Sequence, residues 1–193
     1  MTGRAPASVH CVTADVDGTR SLAAALAGLC VPGDIVLLVG DLGAGKTAFA
    51  QGFGRALGVC EPITSPTFAL VRQYPTGRET VRMLFHADVY RLDHMQEIVD
   101  LGLGELVEDG GVAVVEWGDV AEPVLGAGSL TVTIVPGPVA EVSTNEPAAD
   151  EVGSDEPGAD EETRSIIIRP IGAAWDDRWQ RVTAAVEPWA VIR

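Results

Sequence analysis

One octapeptide limits what this chain can fold into more than any other feature. Gly40-Asp41-Leu42-Gly43-Ala44-Gly45-Lys46-Thr47 lies between a buried-strand pattern at 34–39 (DIVLLV) and a helical pattern at 47–57. The spacing fits G-x-x-x-x-G-K-[ST], a strand-to-helix loop that wraps a phosphate chain. Backbone N–H groups turned inward bind the anion, and glycines permit both the bend and the close approach of oxygens. The helix that follows adds the positive end of its dipole. In such a loop the Lys46 ammonium, open to the ligand, reaches the β- and γ-phosphates, and the Thr47 hydroxyl coordinates Mg²⁺. A shuffled chain of this composition gives the pattern about once in a thousand trials, before the flanking strand and helix are required. Lys46 is the sole lysine, and the other twelve basic residues are arginine. The planar fork of arginine does not replace a compact ammonium inside such a loop. A plain strand-to-helix turn is therefore the weaker reading.

A phosphate loop of this kind works with an acid that completes the Mg²⁺ shell and orients the attacking water. Two acids end apolar strands, Asp88 after MLFHA and Glu116 after VAVV. Glu116 is the better placed, because 112–115 reads as a fully buried strand that aims its last residue at the loop. His86 and Asp88 are two residues apart on a strand and share a face. Without a third ligand, His86 reads as structural rather than as half of a metal pair. Residues 64–67 (TSPT) bring three hydroxyls stiffened by Pro62 and Pro66. They read equally as a segment that senses the γ-phosphate, with Thr67 as reporter, or as an ordinary turn into a strand.

The rest of the chain alternates. Strand patterns occupy 9–13, 34–39 and 112–115, and helical patterns occupy 19–31, 47–57, 95–101 and 104–107. Runs at 67–74 and 81–89, joined by Pro75, Thr76 and Gly77, predict a hairpin. Trp175, Trp179, Val182 and Val186 follow helical spacing and read as core. These patterns predict an α/β protein: one three-layer P-loop NTPase-like domain over 1–193, with a mixed, mainly parallel central sheet and an antiparallel hairpin. Residues 137–163 stand apart, with nine acids and no Lys or Arg, and read as a disordered acidic insertion between strands at 130–135 and 165–169. The net charge of −15 argues against a direct grip on nucleic acid, so any RNA role needs a partner's basic surface. Three cysteines without a CxxC pair read as reduced thiols. The apolar run at 22–31 is too short to span a bilayer, and no membrane partner is expected.

Guanine recognition through N-K-x-D is closed to this chain, because its one Asn is Asn145 and its one Lys is Lys46. A small-metabolite kinase is the main rival, although Arg72, Arg78, Arg82 and Arg91 fall on the hairpin pattern rather than on a lid. A nucleotide-binding regulatory subunit without turnover is a third reading.

Four blocks, GDLGAGKT at 40–47, SPTFALV at 65–71, HADVYRL at 86–92 and VVEWGD at 114–119, together resemble the TsaE (YjeE) family. These are bacterial P-loop ATPases needed to make threonylcarbamoyladenosine in tRNA. The likeness spans about residues 17–135. It implies a cytoplasmic ATPase, weak alone, that works with TsaB-like and TsaD-like subunits and meets tRNA only through them. By motif it implies that 40–47 and Ala48 bind ATP, that Thr47 and Glu116 hold Mg²⁺, and that Lys46, Asp88 and Glu116 are catalytic. It further implies that Trp117 is a functional neighbour of Glu116, that Thr19 lies toward the adenine, and that Arg164 approaches the nucleotide. Ala48 and Ala87 depart from the residues common in the family at these places.

Overall fold

The structure, a computed structural model, describes residues 8–66, 70–92, 94–137 and 163–191. Thr67 and the acidic segment 138–162 lie outside the described residues. The central strands explain the layering. β2 (Ile35–Val39) and β5 (Gly111–Glu116) are apolar at consecutive positions, so each can bury both faces. Val36, Leu38, Val112 and Val114 join the core beneath α1 (Val16–Ala27) and α2 (Lys46–Ala56). Leu37, Ala113 and Val115 join a second core beneath α3 (Met95–Asp100), α4 (Leu103–Glu108) and α5 (Gly118–Leu125). α1 and α2 approach closely because Gly52 has no side chain: a Cβ there would lie 2.2 Å from the Arg20 carbonyl oxygen.

The remaining strands are β1 (Val9–Thr13), β3 (Val71–Pro75), β4 (Met83–Asp88), β6 (Leu130–Pro136) and β7 (Arg164–Pro170), in a seven-stranded sheet ordered β1-β7-β6-β2-β5-β4-β3. The four central strands β6, β2, β5 and β4 are parallel. Antiparallel pairings flank them, β1 and β7 on one side and the β3–β4 hairpin on the other. This is the mixed three-layer architecture the sequence predicts. No helix among the described residues is long and apolar enough to cross a membrane.

Boundaries differ where side chains cap the backbone. α1 begins at Val16 rather than 19, because Asp15 Oδ1 accepts the Gly18 N–H at 2.6 Å. It ends at Ala27 rather than 31, and Asp34 Oδ2 takes the Val31 N–H at 2.7 Å in the turn that follows. α5 has no counterpart in the sequence reading, since it starts on Gly118 and contains Pro123. The C-terminal stripe divides: Trp175, Val182 and Val186 are buried, yet a 3-10 turn at Asp176–Arg178 separates Trp175 from α6 (Trp179–Ala185).

An ion pair fastens this C-terminal segment to the turn before β2. Arg178 makes a two-armed contact with Asp34, at 2.6 and 2.7 Å, donates to the Leu29 and Ala174 carbonyls, and lies 4.0 Å from the Trp175 ring centre. The Asp34 hydrogen bonds hold the guanidinium above its ordinary pKa against the opposing effect of burial. All three cysteines are free. Burial pushes the Cys11 thiol up to about 11 and raises Cys30 as well, whereas Cys60 is exposed.

Two stability predictions follow from these contacts. Arg178→Leu leaves the Asp34 carboxylate buried without its cation, at a cost of about 3 kcal/mol. The melting temperature should fall by roughly 10 °C; a fall of less than about 3 °C would show that the pair does not fasten the segment. At the other end, β6 and β7 pair up to Pro136 and Arg164, and the Gly137 N–H donates to the Thr163 carbonyl at 2.8 Å. Replacing 138–162 with a two-residue turn should therefore keep a single cooperative unfolding transition and a melting temperature within a few degrees. Loss of cooperativity would contradict this.

Candidate functional site

The glycine loop is held between β2, α2 and β6. Gly40 has φ of +150°, and a Cβ there would lie 2.3 Å from the Ile134 carbonyl oxygen on β6, so loop and strand meet backbone to backbone. Gly45, with φ of +111°, caps α2, and its carbonyl accepts the Phe49 N–H at 2.9 Å. Leu42 stands at the loop tip, 91% exposed.

Lys46 is not the open ammonium that the sequence suggests. It is 5% exposed, and Nζ donates to the Gly40 and Asp41 carbonyls at 2.6 and 2.9 Å. The same ammonium lies 4.0 Å from the Trp117 ring centre. A buried ammonium must find acceptors, and the loop's own carbonyls supply them. Burial pushes its pKa below the ordinary value, while Glu116, Asp88, Asp41 and Asp119 push it back up.

Two carboxylates face the loop from adjacent strands. β4 and β5 run parallel with Asp88 opposite Glu116, and both residues are buried. Glu116 Oε1 accepts the Thr47 hydroxyl at 2.9 Å and lies 2.9 Å from His86 Nε2. Asp88 is held separately: Oδ2 accepts the Ser65 hydroxyl at 3.0 Å, and Oδ1 accepts the Tyr90 N–H at 3.1 Å. Trp117 adopts φ of +62°, a left-handed conformation that is rare for a bulky residue. Its ring packs against Tyr90, with centroids 4.5 Å apart. A cavity of about 430 Å³ opens here, lined by the loop, Ala48, both carboxylates, Tyr90 and Trp117.

The structure therefore brings Lys46, Thr47, Asp88, Glu116 and Trp117 together beside residues 40–45 and Ala48. Arg164 reaches the loop from β7, its Nε donating to the Ala44 carbonyl at 3.2 Å. Thr19 is not brought to the cavity. It is fully buried on α1, its hydroxyl 2.9 Å from that of Thr13 and donating to the Asp15 carbonyl. With α1 starting early at Val16, capped by Asp15, Thr19 lies inside the helix and faces inward. Sequence reasoning missed the His86–Glu116 contact, the Ser65–Asp88 contact and the place of Tyr90. The shared face of His86 and Asp88 was the available signal for the first, and the hydroxyl cluster at 64–67 for the second.

Comparison with known proteins adds an independent line. The family model described as "Threonylcarbamoyl adenosine biosynthesis protein TsaE" matches residues 13–140, a span that holds the loop and both carboxylates. A Bacillus subtilis protein named tRNA threonylcarbamoyladenosine biosynthesis protein TsaE is 40% identical over 122 residues, covering 63% of this chain and 74% of the relative. A Treponema pallidum protein of the same name is 38% identical over 126 residues, covering 65% of this chain and 90% of the relative. The crystal structure of YdiB from Bacillus subtilis aligns with a TM-score of 0.66 at 26% identity, covering 96% of this chain and 98% of that one. The family match takes in more than half of the sequence, and the chain belongs to the TsaE family.

Proposed function

We propose that this chain is a Mg²⁺-dependent ATPase serving the threonylcarbamoyl modification of the adenosine beside the tRNA anticodon. In this reading it is the ATPase subunit of a complex with TsaB-like and TsaD-like proteins in the cytoplasm, and turns over slowly without them. Family membership supports the pathway. The observation that carries the chemistry is the 2.9 Å contact between Thr47 and Glu116 at the mouth of the glycine loop, with Asp88 alongside in register.

The donors at this mouth are a hydroxyl and carboxylates, hard oxygen ligands of the kind Mg²⁺ takes. Bound by Thr47 and Glu116, Mg²⁺ would offset negative charge on the phosphate oxygens. The chain's own residues do the rest. Backbone N–H groups of 43–47 bind the phosphates, and Lys46 exchanges its two loop carbonyls for phosphate oxygens. Asp88, steadied by Ser65 and Tyr90, accepts a hydrogen bond from the water that attacks the γ-phosphorus. Hydrolysis then yields ADP and free phosphate. The chain's charge of −15 fits a subunit that leaves the tRNA backbone to its partners.

Lys46→Ala should keep a cooperative melt and lower ATP affinity more than tenfold, the loss expected for a charge-assisted contact worth about 1.5–3 kcal/mol. Calorimetry showing wild-type affinity would refute the assignment of the loop. Glu116→Gln preserves shape but removes the charge. ATP should still bind, while hydrolysis should fall at least about a hundredfold. In cells depleted of their own copy, this variant should fail to restore threonylcarbamoyladenosine, measured by mass spectrometry of digested tRNA. Hydrolysis at the wild-type rate would move the metal chemistry to Asp88. Full modification without hydrolysis would replace the ATPase reading with a regulatory one.

A further inference from the structure

We infer that His86 is a positioning residue that fixes the Glu116 carboxylate through its Nε2–H, leaving Oε2 as the oxygen available to a metal ion or water. This rests on the ATPase reading of the same site. His86 sits fully buried on β4, and its polar contact is Nε2 to Glu116 Oε1 at 2.9 Å. Nδ1 is buried and has no hydrogen-bond partner among the described residues.

A carboxylate only accepts hydrogen bonds, so the imidazole must donate, and the neutral ring must carry its hydrogen on Nε2. The Nδ1 lone pair is then the atom left unmatched. An unmatched buried polar atom costs free energy that a phenylalanine or leucine at this position would not. Packing alone therefore gives no reason for a histidine here, whereas donation to Glu116 does.

The geometry around Glu116 shows what the donation achieves. Thr47 on α2 and His86 on β4 both direct donors at Oε1, each at 2.9 Å, while Oε2 accepts no hydrogen bond among the described residues. A glutamate has several rotatable bonds, and two donors from different elements select one arrangement of it. Thr47 spends its single hydrogen on the same oxygen, so its own lone pairs remain for a cation. Asp88 has separate donors in Ser65 and Tyr90, so His86 acts on one of the two carboxylates alone.

The test has a part that needs neither nucleotide nor metal. In ¹⁵N-histidine-labelled wild-type protein, prepared free of both, long-range ¹H–¹⁵N spectra report the tautomer of each of the three rings, with His86→Gln assigning the signal. His86 should show the Nε2–H pattern, and Glu116→Ala should shift it. Mn²⁺ binding in the presence of ADP, read by electron paramagnetic resonance, should weaken by about ten- to a hundredfold in His86→Phe, the scale for loss of a group that orients a metal ligand. ADP affinity in EDTA should not change, and ATP turnover should fall in kcat at an unaltered KM. His86→Gln, which places an N–H near the Nε2 position, should recover most of the Mn²⁺ affinity. An Nδ1–H tautomer overturns the inference alone, and because it is read on wild-type protein it stands even where His86→Phe fails to fold. Wild-type Mn²⁺ affinity in a folded His86→Phe, or a His86→Gln as weak as His86→Phe, also overturns it. A wild type that binds no Mn²⁺ with ADP overturns the nucleotide reading and this inference with it.

Discussion

The hydroxyl of Thr47 and the carboxylate of Glu116 meet at 2.9 Å because the sheet leaves them no other place to be. β2 and β5 are parallel neighbours in register, Leu38 opposite Glu116, so the loop leaving β2 and the acid ending β5 emerge at the same end. In open α/β sheets that end, beyond the carboxyl termini of parallel strands, is where ligands bind. β4 adds Asp88 one strand away, again in register with Glu116. The antiparallel strands lie to the sides and contribute less directly. β7 sends Arg164 to the loop, and β3 completes the hairpin that holds β4.

Backbone contacts and buried charge set the loop's shape together. The Gly40 approach to the Ile134 carbonyl leaves no room for a side chain, so the loop is pinned to β6 at its first residue. At its last turn Lys46 ties Gly40 and Asp41 back onto α2 through two carbonyls, with the Trp117 ring over the ammonium. That ring reaches Lys46 from a residue with φ of +62° directly after Glu116, so one short turn places both an acid and an aromatic face at the site. Desolvation of Lys46 and the opposing pull of four carboxylates act on the same ammonium. A phosphate group that replaced the two carbonyls would find a cation already inside the loop.

Much of this arrangement is legible in the residue order. The loop is readable because its glycines, lysine and hydroxyl are fixed in number and spacing. Glu116 and Asp88 are readable as acids at the ends of apolar strands. Contacts between elements distant in sequence are not. His86 is 30 residues from Glu116, and the face it shares with Asp88 within HADVYRL does not by itself say that the imidazole meets the neighbouring strand's acid. Lys46 looks open in the motif because a motif carries no information about which carbonyls lie behind it. Thr19 lies toward the adenine by resemblance, but with Asp15 capping an early α1 its hydroxyl meets that of Thr13. Trp117 is legible only through the family resemblance, as a neighbour of Glu116; its left-handed backbone and the place of its ring over Lys46 are not.

The fate of the γ-phosphate separates hydrolysis from phosphoryl transfer and from binding without turnover. Wild-type protein is incubated with ATP labelled at that position and Mg²⁺, alone and with TsaB-like and TsaD-like proteins, and the products are separated. An ATPase gives labelled free phosphate that depends on Mg²⁺ and increases when the partners are present, and this is the expected result. Label transferred to a small metabolite, or ATP left intact with all partners present, would contradict it.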